Sequence, residues 1–148
     1  MPTTIFTAQS YDPEKSRRQR QRIVVILSIL MVAGGVAYHY RYWTYEHRVD
    51  QFLTDLERHD YKQAYALWQN DPRWEQHPGR YQKYPFPDFY RDWGPSGDWG
   101  IIREHKIDGA AAPTGGSGVI VQVTINQRVE PLRLWVERRD KTITWSPY

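Results

Sequence analysis

Hydrophobic positions change their spacing along this chain, and each change marks a different kind of element. Residues 23–38 read IVVILSILMVAGGVAY, sixteen residues without a charge. From residue 49 the apolar positions turn periodic. Val49, Phe52, Leu53 and Leu56 stand at i, i+3, i+4 and i+7. Tyr61, Ala64, Tyr65 and Trp68 repeat that spacing, as do Phe86, Phe89, Tyr90 and Trp93. Each set predicts a helix with one apolar stripe. After Gly100 the period becomes two. Residues 101–107 predict a first strand. Val119, Val121, Val123 and Ile125 then alternate with Ile120, Gln122, Thr124 and Asn126, which predicts a strand with one strongly apolar face. Leu132, Leu134 and Val136 predict a third, and residues 142–145 a fourth, beyond the polar turn Arg139-Asp140-Lys141.

Capping signals set the boundaries. Asp60 suits the N-cap of the second helix, with Gln63 in the capping-box position, and Asn70-Asp71-Pro72 ends that helix. Pro87 fits the first turn of the third. Between them, residues 73–85 carry Pro78, Gly79 and Pro85 and predict irregular chain, with Trp74 pinning it to the core. Residues 92–100 read DWGPSGDWG, with Asp-Trp-Gly twice. Gly94 stands where a helix often takes a left-handed residue, and Pro95 stops continuation. Ser96-Gly97-Asp98 turns the chain, and Trp99 leads into the strands. Residues 109–118, GAAAPTGGSG, predict a flexible connection. Three helices followed by a four-stranded antiparallel meander is an α+β arrangement.

The uncharged run predicts a membrane anchor. Its helix spans about 24 Å against a hydrocarbon core of about 30 Å. Extension to Trp43 supplies the missing length, with His39 and Arg41 snorkelling at the interface. Tyr38, Tyr40, Tyr42, Trp43 and Tyr45 form an aromatic belt on that side. Lys15, Arg17, Arg18, Arg20 and Arg22 precede the run; Arg41 and Arg48 follow it. The positive-inside rule places the N-terminus in the cytoplasm. The organisation is then a basic tail (1–22, disordered for want of an apolar period), an anchor (23–43) and an extracytoplasmic domain (44–148). A bacterial inner membrane, with the domain periplasmic or extracellular, is the expected location. A cleaved signal peptide competes, because Gly35-Val36-Ala37 is a small-x-small site. Ser16-Arg17-Arg18 also resembles the start of a twin-arginine signal, although the polar residues 19–22 depart from it. The aromatic belt beyond Ala37 favours the anchor. Ala33, Gly34, Gly35 and Ala37 make a small-residue patch of the kind that admits a second membrane helix, or that a span merely tolerates.

Charge and composition exclude several chemistries. The chain has no cysteine, so disulfides, thiolate metal sites and cysteine nucleophiles are out. Residues 1–43 carry a net +4 and residues 44–148 a net −1. The basic surplus belongs to the tail, which disfavours nucleic-acid binding by the domain and suits topology and anionic lipid. The five histidines, 39, 47, 59, 77 and 105, lack metal-ligand spacing. His39 alone stands where a haem ligand could sit. Residues 115–118, GGSG, lack the lysine of a phosphate loop. Asp92, Ser96 and Asp98 could approach a calcium ion but lack EF-hand spacing. No cofactor or metal is expected.

The segment VDQFLTDLERHDYKQAYALW (49–68) joins an apolar-striped helix to an Asp-Tyr break and an Ala-Tyr-rich helix. With the element order over residues 46–146, it resembles the nuclear-transport-factor-2-like, or cystatin-like, cone superfamily. The likeness is to its short bacterial membrane-anchored members. That resemblance implies helices packed on the concave face of a sheet. It also implies a place to look for chemistry, because enzymes of the superfamily commonly line the cone with an acid–base pair. Asp50, Asp55, Asp60, His47, His59 and His105 are the candidates, yet most fall away from the apolar stripe, as on a solvated helix face. The superfamily also holds ligand binders, oligomerisation modules and assembly factors.

Two functions follow as expectations. One is a non-catalytic anchored protein whose domain binds other proteins, as an accessory or assembly subunit of a membrane complex. The other is a small-ligand-binding or enzymatic cone with an aromatic pocket among Tyr65, Trp68, Phe89, Trp93 and Trp135. Trp68, Trp93, Trp99 and Trp135 are the aromatics expected at a partner surface or pocket, and Trp99 belongs to no stripe.

Overall fold

A computed structural model describes residues 13–148. The chain divides after Tyr40 into a helical unit and a second unit, Arg41–Tyr148. The helix α1, Pro13–Tyr40, has 28 residues. It begins well before the uncharged run, so the segment expected as a tail is helical from residue 13. Pro13 fixes a helical φ at the start, Glu14 suits the positive helix end, and Lys, Arg and Gln are good helix formers. The part of that tail before residue 13 lies outside the described residues. The helix is long and apolar enough to cross a membrane, and its most apolar stretch is not buried against the rest of the chain. Gly34 and Gly35 lie on it with nothing near their missing side chains.

The second unit is α+β. It contains α2 (Trp43–Glu57), α3 (Tyr61–Gln69), a short 3-10 turn (Trp74–Gln76), and α4 (Phe86–Trp93). β1 (His105–Ala111), β2 (Gly118–Ile125), β3 (Leu132–Glu137) and β4 (Ile143–Trp145) follow. The strands form one antiparallel sheet in chain order. The stripes do what their spacing requires. Val49, Phe52, Leu53 and Leu56 of α2 are buried, and so are Ala64, Tyr65 and Trp68 of α3. They meet Val119, Val121, Val123, Ile125, Leu134, Val136 and Ile143 from one face of the sheet. Phe52 packs edge-on against Phe89 and Trp93, at centroid distances of 6.2 and 5.0 Å. Such pairs add specificity to the area that they bury. Tyr90 departs from its stripe and is 45% exposed. It lies at the rim, edge-on to the Tyr61 ring.

Asp60 caps α3, its carboxylate accepting from the Gln63 amide at 3.1 Å. Asn70 ends that helix with φ of 50°. The irregular segment beyond it is tied down by Asp71, which accepts from the Tyr81 hydroxyl at 2.7 Å and the Arg73 amide at 2.9 Å. The His77 Nδ1 stands 2.8 Å from the same carboxylate. Trp74 lies flat on Phe86 and edge-on to Tyr65, as its pinning role requires.

Two local expectations need correction. The first strand runs from His105 to Ala111 rather than over residues 101–107, and so uses part of the segment expected to be flexible. Asn126 explains the shift. Its side chain accepts from the Arg103 amide and donates to the Ile101 carbonyl, satisfying that backbone without a ladder. A bulge between Ile107 and Gly109 then lets Ala110 and Ala111 pair with Val121 and Ile120. Gly94 is extended, not left-handed. Glycine is needed there for space, since a Cβ would stand 2.3 Å from the Tyr90 carbonyl oxygen.

Candidate functional site

Helix α2 runs between the two ends of the second unit. Near its start, the Tyr45 ring lies under Lys141 of the β3–β4 turn, with Nζ 4.1 Å from the centroid. At its end, Glu57 meets His105, where β1 begins. Tyr45 and Glu57 lie about 18 Å apart along the helix.

His105 is the best-held of the candidate acid–base residues. Its side chain is 7% exposed. Nδ1 lies 2.6 Å from Glu57 Oε1, and Nε2 lies 3.1 Å from Asp50 Oδ1. A carboxylate only accepts, so both contacts are hydrogen bonds when both ring nitrogens carry hydrogens. The two nitrogens point in opposite directions, so the three side chains do not converge on one ion. Both carboxylates come from α2, and the histidine comes from β1. The cluster therefore fastens the edge strand to the helix. The sequence candidates included Asp50 and His105 but not Glu57. The missing signal was spacing: Glu57 follows Asp50 by two helical turns, on the same face.

The other candidates lie apart. His47 stacks on Trp43 at 4.9 Å. His59 adopts φ of 59° beyond the end of α2. Asp60 is a helix cap, and burial, then the neighbouring Asp60 charge, raises the Asp55 carboxyl above its usual range. His39 lies on α1 with its ring edge against Tyr40.

The corner at residues 92–100 has a different character. Trp93 is buried and lies flat on Trp145, with centroids 4.7 Å apart and planes 3° from parallel. Gly97 must be glycine for space, since a Cβ would stand 2.0 Å from the Asp92 carbonyl oxygen. Arg128, from the β2–β3 turn, donates to the Asp98 and Trp99 carbonyl oxygens at 3.0 and 3.2 Å. Its guanidinium lies over the Trp99 ring at 5.3 Å. Asp92, Asp98, Trp99, Arg128, Glu130 and Trp145 line an open groove of about 630 Å³. Asp92 is already engaged. It accepts from the Tyr84 hydroxyl at 2.9 Å and stands 3.5 Å from Arg91. Burial, then Asp92, pushes the Tyr84 phenol well up. Asp98 and Glu130 are exposed.

The four expected tryptophans thus separate. Trp68 and Trp93 are 3% and 1% exposed and belong to the core. Trp135 is half-buried on β3, its indole lying over Gly116 and Gly118. Trp99 is half-buried at the groove. Trp145, which no sequence signal marked, is 42% exposed there. No protein-family profile, curated protein or solved structure matches the chain.

Proposed function

We propose that this protein is a single-pass membrane-anchored, non-catalytic subunit whose extracytoplasmic domain binds another protein through the Trp99–Trp145 groove. The N-terminus is cytoplasmic on this reading, the membrane is a bacterial inner membrane, and the domain is a small member of the cone superfamily. The groove is the observation that carries it. It places two partly exposed tryptophans beside carboxylates and a guanidinium on a rigid corner, the composition at which interface energy concentrates. A membrane partner helix on the patch Ala33, Gly34, Gly35 and Ala37 would add to that contact.

The reading as an enzyme or ligand-binding cone draws less support. Tyr65, Trp68, Phe89 and Trp93 pack on one another inside the domain. The His105 side chain has a carboxylate of α2 at each ring nitrogen, Glu57 at Nδ1 and Asp50 at Nε2.

A photo-crosslinking residue in place of Trp99 tests the proposal in native membranes. A defined adduct is expected there, and none from the same probe at Tyr90, which is exposed on α4. Equal labelling from both positions, or from neither, contradicts the proposed face.

A further inference from the structure

The end of the second unit where the chain enters is chemically unlike the groove end. Trp43, in the first turn of α2, is 52% exposed and lies flat on His47, with planes 5° apart. The β3–β4 turn folds against the same end of α2, at Tyr45. Lys141 covers Tyr45, and the Asn70 amide donates to the Asp140 carbonyl oxygen at 2.6 Å. Arg138 and Arg139 are exposed, and neither sits in an ion pair among the described residues.

The acidic side chains of this turn are occupied. Asp140 accepts from the Thr142 amide and hydroxyl. Glu137 accepts from the Ser117 hydroxyl and the Arg138 amide. Glu46 is the acidic residue in the first turn of α2. The β1–β2 connection is held alongside, with the Arg138 amide donating to the Ser117 carbonyl oxygen at 3.1 Å. It adds the uncharged, exposed Thr114 and Gly115. The opposite end offers the reverse. Asp98 and Glu130 are exposed there, and with Asp92 they outnumber the one cation lining the groove, Arg128, whose guanidinium donates to backbone carbonyls.

We propose that the entry end of the domain rests on the anionic phosphate headgroups of the bilayer, with the exposed Arg138 and Arg139 facing them and Trp43 at the interfacial level. The inference rests on the anchor reading above, because that reading brings the entry point to the surface. Three arguments select this end. Arg41 follows directly on the end of α1, so the tether holds Trp43 and the adjoining turn at high effective concentration next to the headgroups. Cations within a Debye length of an anionic leaflet, about 8 Å at physiological salt, are attracted to it. An exposed tryptophan beside them gains at the headgroup level, where its ring is amphipathic. The acidic groove end is repelled by the same surface. The domain therefore stands on its basic turn and presents the Trp99 side of the groove, held to the β2–β3 turn by Arg128, away from the bilayer.

The absence of cysteine makes the test direct. Single cysteines replace Thr114 at the entry end and Val129 at the far end, and each carries a nitroxide in the full chain. The protein is reconstituted into phosphatidylcholine vesicles with or without phosphatidylglycerol. Relaxation by a headgroup-bound nickel chelate reports nearness to the surface. Strong relaxation at position 114 and weak relaxation at 129 are expected in the anionic vesicles. Relaxation at 114 should fall several-fold in R138Q/R139Q and in zwitterionic vesicles. Circular dichroism and the urea midpoint of the double variant check that it is folded.

Equal relaxation at both positions overturns the proposal, and so does a signal at 114 indifferent to both charge changes. An alkaline carbonate wash separates the two levels. A chain that washes off contradicts the anchor, and the inference with it. A retained chain with a charge-indifferent label contradicts only the inference.

Discussion

At the scale of single residues, the domain depends on close approaches and on one well-supplied carboxylate. A Cβ at Gly118 would stand 2.4 Å from the Trp135 ring and 2.6 Å from the Val136 carbonyl oxygen. The backbone cannot yield cheaply, so Gly118→Ala should destabilise the domain by about 1–3 kcal/mol. Urea unfolding followed by tryptophan fluorescence measures it; an unchanged midpoint would mean that Trp135 swings away freely. Asp71 gives a pH dependence. Its carboxyl is held down to about 2, chiefly by the Tyr81 hydroxyl, with help from His77 and the Arg73 amide. Tyr81 is correspondingly raised to about 12, by burial and then by Asp71. A carboxyl with a depressed folded pKa stabilises above its unfolded value and loses that stabilisation as pH falls through the folded value. Asp71→Asn should therefore be less stable than the wild type at neutral pH. The gap should narrow from about pH 4 downward. Parallel acid-unfolding curves would show that the charge of Asp71 contributes nothing.

At the scale of elements, the fold is clearest where spacing speaks for burial. Val49, Phe52, Leu53 and Leu56 predicted a stripe, and all four are in the core. The β2 alternation was equally plain, since Val119, Val121, Val123 and Ile125 are fully buried. Tyr90 shows the limit, because α4 has eight residues and its stripe is carried by Phe89 and Trp93. The start of β1 was not legible, since it depends on a side chain from the β2–β3 turn, Asn126, replacing a strand's hydrogen bonds. The candidate site was legible only in part for the same reason. Trp99 was visible as an aromatic without a stripe, whereas Trp145 and Arg128 reach it through tertiary contacts. The Asp50–Glu57 spacing on α2 was readable, whereas their meeting with His105 of β1 is a tertiary contact that no local pattern announces. A double-mutant cycle with His105→Ala and Glu57→Gln should give a coupling of about 1 kcal/mol or more in stability, as for partners in one network. A coupling near zero would mean that the strand is held by apolar packing alone.

At the scale of the whole molecule, each unit has its own distribution of charge. A basic helix start and an uncharged stretch lie on α1. The second unit carries a cationic turn at its entry and an acidic, tryptophan-bearing groove at its far end. On the reading proposed above, that separation lets the domain stand on a membrane and offer its other end to a neighbour. The mass of the particle extracted from native membranes in mild detergent tests this most directly, with the wild type measured beside a Trp99→Ala/Trp145→Ala variant. The account predicts that the wild type travels with a second protein in fixed ratio, above the mass of one chain and its detergent. It predicts a one-chain particle, still folded, for the variant. A wild-type protein extracted as a lone chain, or a complex indifferent to both tryptophans, would contradict it.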